Sequence, residues 1–327
     1  MRQNKKKQDG FVIVAVLCIV MMLSVILFGF YSEARRNYRA AENIKKAEQS
    51  LNCARAGLNI AIAAVKNATD NGSSKIIEQM LSQTNNIDLP DGECSITMVD
   101  ESGKLNVNLL KNENGRPDRN KIEQFIRLIE NINKNSNDGI EISCDIVPSI
   151  IDWADKDDQT TSLTFIDHEN SGAESDYYEH LRSPCACKNR PFETIQELLP
   201  VKGMTQKAYA KIKDHLTVYG NGKININSAS EEVIESLSDK MDATMAELII
   251  EQRKFEPFES VSDIRSVPGM TDEIFGEINR NITVNGKNEY YKIISQGSVD
   301  EYNRTIASVI RRNAKASSVE VVVYQEY

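Results

Sequence analysis

The sequence predicts an α+β protein hung on one long N-terminal helix, and three observations predict it. An uncharged run of 21 residues, Phe11 to Tyr31, lies near the start. An apolar stripe at helical spacing follows it directly. Period-two alternation appears near residues 94–110 and 290–311, with helix-patterned segments between. Two strand groups flanking a helical stretch are expected to share one antiparallel sheet, with the helices inserted into it.

At about 1.5 Å per residue the uncharged run spans roughly 30 Å as a helix, the depth of a bilayer's hydrocarbon core. Arg2, Lys5, Lys6 and Lys7 precede it, so positive-inside bias keeps the N-terminus cytoplasmic and sends everything after Tyr31 across the membrane. A cleavable secretory signal shares this basic-then-apolar order. It wants a shorter core and a small-residue cleavage site, and Tyr31-Ser32-Glu33-Ala34-Arg35-Arg36 supplies none. From Glu33 to Lys66, apolar or small residues recur at 34, 38, 41, 44, 47, 51, 54, 58, 61 and 65, with Arg35, Arg36, Arg39, Glu42, Lys45, Lys46 and Glu48 on the other faces. No Pro interrupts the stretch from Phe11 to Lys66, so the membrane helix is expected to continue outward as one rod.

These residues carry a resemblance. A short basic leader ending in Gly10, the apolar Phe11, and an apolar-then-amphipathic helix resemble a type IV pilin or pseudopilin precursor. The resemblance implies cleavage between Gly10 and Phe11 by a prepilin peptidase. Most such subunits carry Glu at the fifth mature position, where this chain has Ala15; the K subunit of the type II secretion pseudopilus, the GspK family, lacks that Glu too. Without a carboxylate there, a subunit cannot neutralise the N-terminal amine of one already in the fibre. That suits a place at the tip.

The chain of 327 residues allows about two domains, and its net charge of −9 argues against a nucleic-acid or anionic-lipid surface. Cys18 and Cys53 lie in the long helix; Cys94, Cys144, Cys185 and Cys187 follow it. An even set beyond the helix is compatible with disulfides in an oxidising compartment, and their pairing is left open.

Beyond the rod, 67–91 reads as polar with one helical patch at 74–81. CSITMVD and KLNVNLL read as a hairpin around Glu101-Ser102-Gly103. Residues 119–132 and 146–153 read as helices. Acids then cluster: Asp152, Asp155, Asp157 and Asp158, followed by Asp167, Glu169, Glu174 and Asp176. Hard oxygen ligands so spaced suit Ca²⁺, although the loop lacks the Gly and Glu positions of an EF-hand. The pattern D-W-x-D-x-D followed by G-A-E-x-x-Y-Y resembles a GspK signature, and the family implies Ca²⁺ there, with Asp152, Asp155, Asp157 and Glu174 as expected ligands. A rival metal set is His168, His180, Cys185 and Cys187 for Zn²⁺, at a spacing that is not a recognised zinc pattern.

An internal repeat at an offset of 66 aligns Pro191-Phe192-Glu193 with Pro257-Phe258-Glu259, and Val201-Lys202-Gly203-Met204-Thr205 with Val267-Pro268-Gly269-Met270-Thr271. Each copy, about 191–220 and 257–286, reads helix, Gly turn, helix, strand: a helix-hairpin-helix (SAM-like) unit. Residues 224–270 also resemble the paired hairpins of competence DNA receptors, which grip phosphate through turn N–H groups and a nearby cation. Acids outnumber bases sixteen to ten between Phe192 and Gly286, and the middle turn, Ser238 to Asp242, has no Gly. Counterion release would then give little affinity, which points to packing rather than nucleic acid. Gly222-Lys223-Ile224-Asn225-Ile226-Asn227 echoes Gly103-Lys104-Leu105-Asn106-Val107-Asn108, as two alternating strands would; GspK proteins carry both. No nucleophile, P-loop or metalloprotease motif is present, so no enzymatic activity is expected.

The organisation expected is a leader (1–10), a membrane helix (11–31), an amphipathic helix with the first strands of a pilin-like α/β domain (32–110), an inserted helical domain (111–285), and C-terminal strands (286–327). The resemblance implies a structural minor pseudopilin in the inner membrane, single-pass, with a large periplasmic part. It would nucleate and cap a short fibre that supports export across the outer membrane. Its implied partners are the I- and J-type minor pseudopilins, the major pseudopilin, the prepilin peptidase and secreted proteins. A DNA-binding competence receptor or a type IV pilus tip subunit is the alternative.

Overall fold

The computed structural model describes residues 3–67, 74–112, 115–136, 139–165, 170–284, 288–313 and 318–327. In chain order they form α1 (Gln3–Asn67), α2 (Ser74–Ser82), β1 (Asn85–Leu89), β2 (Gly92–Asp100), β3 (Leu105–Asn106), α3 (Arg119–Asn135), α4 (Ile146–Ala154), α5 (Ser175–Glu179), α6 (Gln206–Ile212), β4 (Leu216–Thr217), β5 (Ile224–Asn225), α7 (Glu231–Glu235), α8 (Ala243–Phe255), α9 (Asp272–Ile278), β6 (Ile282–Thr283), β7 (Asn288–Val299), β8 (Tyr302–Asn313) and β9 (Ser318–Glu326).

The expected rod is one unbroken helix of 65 residues, α1. The large apolar side chains between Phe11 and Tyr31 are exposed, and this segment is long and apolar enough to cross a membrane. The amphipathic stripe packs only in its upper part. Ser50, Cys53, Ala54, Leu58, Ala61 and Val65 are buried, whereas Tyr38 and Ile44 are each 71% exposed. Among the described residues, several turns of stripe between the membrane run and the domain therefore stand outside the core.

The sheet has the order β1-β2-β7-β8-β9, antiparallel throughout. The alternation near 290–311 forms the hairpin of β7 and β8, with Asp300 at φ 51° in its turn, and β1 and β9 are the edge strands. The first strand group differs from expectation. Residues 104–110 do not return along β2, which pairs instead with β1 and β7. Asp100 caps a 3₁₀ turn at Glu101–Gly103 that leads the chain out of the sheet. β3 then pairs in parallel with β4, and Leu105, Val107 and Leu110 join the core of the insertion. The insertion therefore begins near Gly103 rather than 111. Alternation marks a strand but not its partner, so the same pattern fits a hairpin and this parallel pairing alike.

Helix and sheet approach closely because each contributes a glycine to the contact. A Cβ on Gly297 would lie 2.0 Å from Ser50 O and 2.4 Å from Ala54 N, and one on Gly57 would lie 2.3 Å from Ser295 Oγ. These contacts also fix direction. As α1 rises from Ser50 to Gly57, its neighbours pass from Gly297 to Ser295 on β7, and Gly57 lies against Cys94 and Ile96 of β2. β2 thus climbs with α1, away from the membrane run. The insertion leaves after Asp100 and returns before Asn288, at the far end of the sheet.

The insertion has its own core, separate from the one between α1 and the sheet. It is built twice on one plan. In the first unit, β3 lies parallel to β4, and the Asn108 amide donates to Phe192 O (2.9 Å) and Val218 O (3.2 Å) and accepts from Phe192 N (2.7 Å). In the second, β5 lies parallel to β6, and Asn227 donates to Phe258 O (2.9 Å) and Val284 O (3.2 Å) and accepts from Phe258 N (3.0 Å). Each unit then runs through a short 3₁₀ helix, a Gly in the left-handed region (Gly203, φ 85°; Gly269, φ 88°), a seven-residue helix and a strand. The echo between 103–108 and 222–227 is thus part of the repeat. Asn227→Ala should lower stability by about 2–3 kcal/mol, because it strands two carbonyls and an N–H at once; urea unfolding checks this.

The units meet the sheet at Asp100, whose Oδ2 accepts from Asn225 Nδ2 (2.9 Å) and Ser228 Oγ (2.7 Å). Tyr219 stacks on Tyr290 with centroids 5.2 Å apart.

Candidate metal centre

α4 is buried along its whole length, including the polar Asp152 at its C-terminal end. Burying a carboxylate is costly unless its oxygens are engaged. Both Asp152 oxygens accept from Thr161 N, at 3.0 and 3.1 Å. The loop that brings Thr161 back is closed by a small ladder. Gly172 N donates to Thr161 O (2.9 Å), and the Asn170 side chain accepts from Leu163 N and donates to Leu163 O (2.8 and 3.0 Å). Only glycine fits at 172, where a Cβ would lie 1.8 Å from Asp152 Oδ2. Lys202 fastens the same loop from outside, donating to the carbonyls of Ser171 and Gly172. Trp153 meets Tyr178 edge to face at 4.8 Å, and the Tyr178 hydroxyl accepts from Lys202 N (3.2 Å).

This scaffold gathers three carboxylates. Asp152, Asp155 and Glu174 are all buried and each offers an oxygen within 4.8 Å of the others. Asp155 follows α4, and Glu174 stands at the N-terminus of α5. Asp155 Oδ1 and both Glu174 oxygens are buried without a hydrogen-bond partner. Among the described residues the cation paired with this set is Lys111, its Nζ 3.8 Å from Asp155 Oδ2, too little to balance three charges. Burial, then the neighbouring acids, push the Glu174 carboxyl up to about 8. Burial also raises Asp155, to about 6 despite Lys111, and Asp152 moves up for the same reason. Partnerless buried oxygens need either protons or a cation. An all-oxygen, carboxylate-rich set fits a hard divalent ion, Ca²⁺ above all.

Three of the four expected ligands therefore converge. Asp157 does not: it is exposed, and its Oδ1 accepts from Gln159 N at 2.9 Å. It lies near enough for its charge to raise both Asp155 and Glu174. Asp158 accepts from Ser175 Oγ. Thr161, Gly172 and Lys111, which build the centre, carried no sequence signal beyond the G-A-E triplet. Asp167, His168 and Glu169 lie outside the described residues. Of the zinc set, His180 is exposed and bonded to Asp176, and Cys185 and Cys187 pack on the insertion core. Among the described residues, the three carboxylates are the one metal-ligand cluster.

The four cysteines read as disulfide candidates are free thiols. Cys94 lies in the core under α1, whereas Cys144, Cys185 and Cys187 pack on the insertion core, so the four do not form one set.

Comparison with known proteins agrees with this architecture. Two models of type II secretion system (T2SS) protein K match, one over residues 103–221 and one over 224–285. Their boundaries coincide with the two structural units. Among curated proteins no match was found. Among solved structures, the chain resembles one from the crystal structure of the GspK-GspI-GspJ complex of the enterotoxigenic Escherichia coli Type 2 Secretion System. The match has a TM-score of 0.66 and 20% identity, over 89% of this chain and 99% of that one. Together the two family models cover more than half of the sequence: the chain belongs to the type II secretion system protein K family.

Proposed function

We propose that the chain is the minor pseudopilin that nucleates and caps the tip of a type II secretion pseudopilus, supporting protein export across the outer membrane. One observation carries this reading: the insertion crowns the end of the sheet away from the membrane run, where a subunit above would have to dock. Ala15, with no carboxylate for a neighbour's amine, agrees with it. The exposed stripe from Tyr38 to Ile44 is the surface on which helices of the I- and J-type minor pseudopilins and the major pseudopilin would pack. Residues 1–10 would be the cytoplasmic leader, cut by a prepilin peptidase between Gly10 and Phe11, with the rest a single-pass inner-membrane protein facing the periplasm and its secreted cargo. Ca²⁺ held by Asp152, Asp155 and Glu174 would be structural, balancing the three acids together with Lys111 and locking the loop between α4 and α5.

The helix-hairpin-helix reading of the repeats favours packing over nucleic acid. Lys240, the cation in the middle turn, is engaged by Glu273 and Glu277, which leaves little charge for a phosphate.

Ala15→Glu tests the position. Immunogold labelling should find the wild-type subunit at one end of each fibre and the variant distributed along the shaft. A variant still confined to the end would remove the Ala15 argument.

A further inference from the structure

We infer that Cys53 and Cys94 are a disulfide-forming pair that staples the long helix to the sheet. The inference rests on the reading above in one respect, that this part of the chain folds in an oxidising compartment. Cys53 is on the helix yet lies well beyond the membrane run, and chain position alone groups it with Cys18 rather than with the thiols that follow. In the fold it faces β2.

The geometry is built by glycines. Cys94 sits opposite Gly297 in the β2–β7 ladder, and a Cβ on Gly297 would lie 2.9 Å from Cys53 Cβ. Ladder partners have Cα atoms about 4.5–5.5 Å apart, so the two cysteines flank the same glycine. The thiols interleave along the contact: Cys53 Sγ lies 3.2 Å from the Cβ position of Gly92, two residues before Cys94. Cys94 Sγ lies 3.1 Å from that of Gly57, one turn after Cys53. Ordinary side chains at 57, 92 and 297 would hold helix and sheet apart; glycines bring them to backbone contact. A disulfide needs Cα atoms roughly 4.4–6.8 Å apart, a separation that only such close packing offers between a helix and a sheet.

Chemistry sets the timing. Both residues are buried, Cys53 at 4% exposure and Cys94 at 1%, and in the structure both are thiols. Burial raises both thiols, so once packed they are poor nucleophiles. The bond forms before packing closes. One thiolate attacks a disulfide donor, either an oxidised thiol-disulfide oxidoreductase or glutathione disulfide, giving a mixed disulfide and one donor thiol. The second thiolate displaces the other donor thiol. The two cysteines lose two electrons and two protons, and the donor is reduced to two thiols. Burial then shields the bond from exchange.

The test uses the full chain, extracted from its own membranes in detergent with an alkylating agent present and digested with trypsin without reductant. The pair predicts one linked species joining residues 47–55 to 76–104, each holding a single cysteine, that dissolves on reduction. A second arm unfolds the reduced chain in urea and refolds it in a glutathione redox buffer. Linkage in both arms supports the pair and the compartment. Linkage only on refolding supports the pair and overturns the compartment. Alkylated Cys53 and Cys94 in both arms overturns the pair. Cys53→Ala, Cys94→Ala and the double variant separate a bond from packing. A bond predicts that each single variant lowers Tm by roughly 10 °C and that the double variant adds little; additive losses that reducing agent leaves unchanged would overturn it.

Discussion

Chelation of Ca²⁺ from the purified full chain is expected to lower its Tm by about 10 °C at pH 8 and by much less at pH 5. The size follows from mass action: free ion at about 1,000 times Kd stabilises by roughly 4 kcal/mol, at about 2–4 °C per kcal/mol for a domain of this size. The pH dependence follows from the carboxyls. With no ion bound, Glu174 titrates near 8 and Asp155 near 6 in the folded protein, both above their ordinary values, because burial disfavours the charge. A carboxyl raised on folding binds its proton more tightly in the folded state, so the stability it contributes is fully present below about pH 4.5. That stability is lost as pH rises through 6 and then 8. The chelated protein should therefore weaken steadily from pH 5 to pH 8. Ca²⁺ takes the place of the protons and binds the ionised carboxylates, so its contribution grows over the same range. Thermal scans at pH 5, 6.5 and 8, with Ca²⁺ and with chelator, measure both slopes. Parallel curves in the two conditions would mean that the cluster holds no ion.

Asp155→Asn combined with Glu174→Gln should invert the response. Neutral amides of nearly the same shape remove the repulsion within the buried set, so at pH 8 in chelator the double variant should be more stable than the parent by about 1–3 kcal/mol. With Ca²⁺ present the parent should overtake it, and the variant's Tm should not respond to the ion. Lys111 makes the comparison sharper. It lies 3.8 Å from Asp155, and its ammonium is pushed below its ordinary range by burial. In the double variant it loses its nearest counter-charge, which sets the lower end of the expected gain. A variant less stable than the parent in chelator at every pH would show that the carboxylates are held by hydrogen bonds rather than awaiting a cation.

The long helix and the β7–β8 hairpin were legible in the sequence because each has a period that survives along its whole length. β1 was not: its five residues, Asn85 to Leu89, include two Asn and an Asp, which favour turns and mask a short alternation. The alternation at 104–110 is visible but does not name its partner, since two-residue parallel strands and hairpin strands carry the same pattern. The repeat at an offset of 66 showed that two units exist. Their N-terminal strands, with Asn108 and Asn227 bonded to the start of each copy, lie more than thirty residues upstream of it in the second unit and over eighty in the first. At the candidate metal centre, Asp152, Asp155 and Glu174 are legible through the D-W-x-D and G-A-E elements. Asp157 shared the pattern but not the place, because the chain turns outward after Asp155. The place of Cys53 is hidden for a related reason: the helix that carries it is continuous with the membrane run, and only the fold shows that Cys53 faces a strand.

The most direct test of the tip reading is native mass spectrometry of the full chain with the I- and J-type minor pseudopilins of the same secretion system, co-extracted in detergent. One copy of each in a single complex, with no further copy of this chain added on raising its concentration, is the predicted result. Open-ended association of this chain with itself, or no complex with either partner, would contradict it.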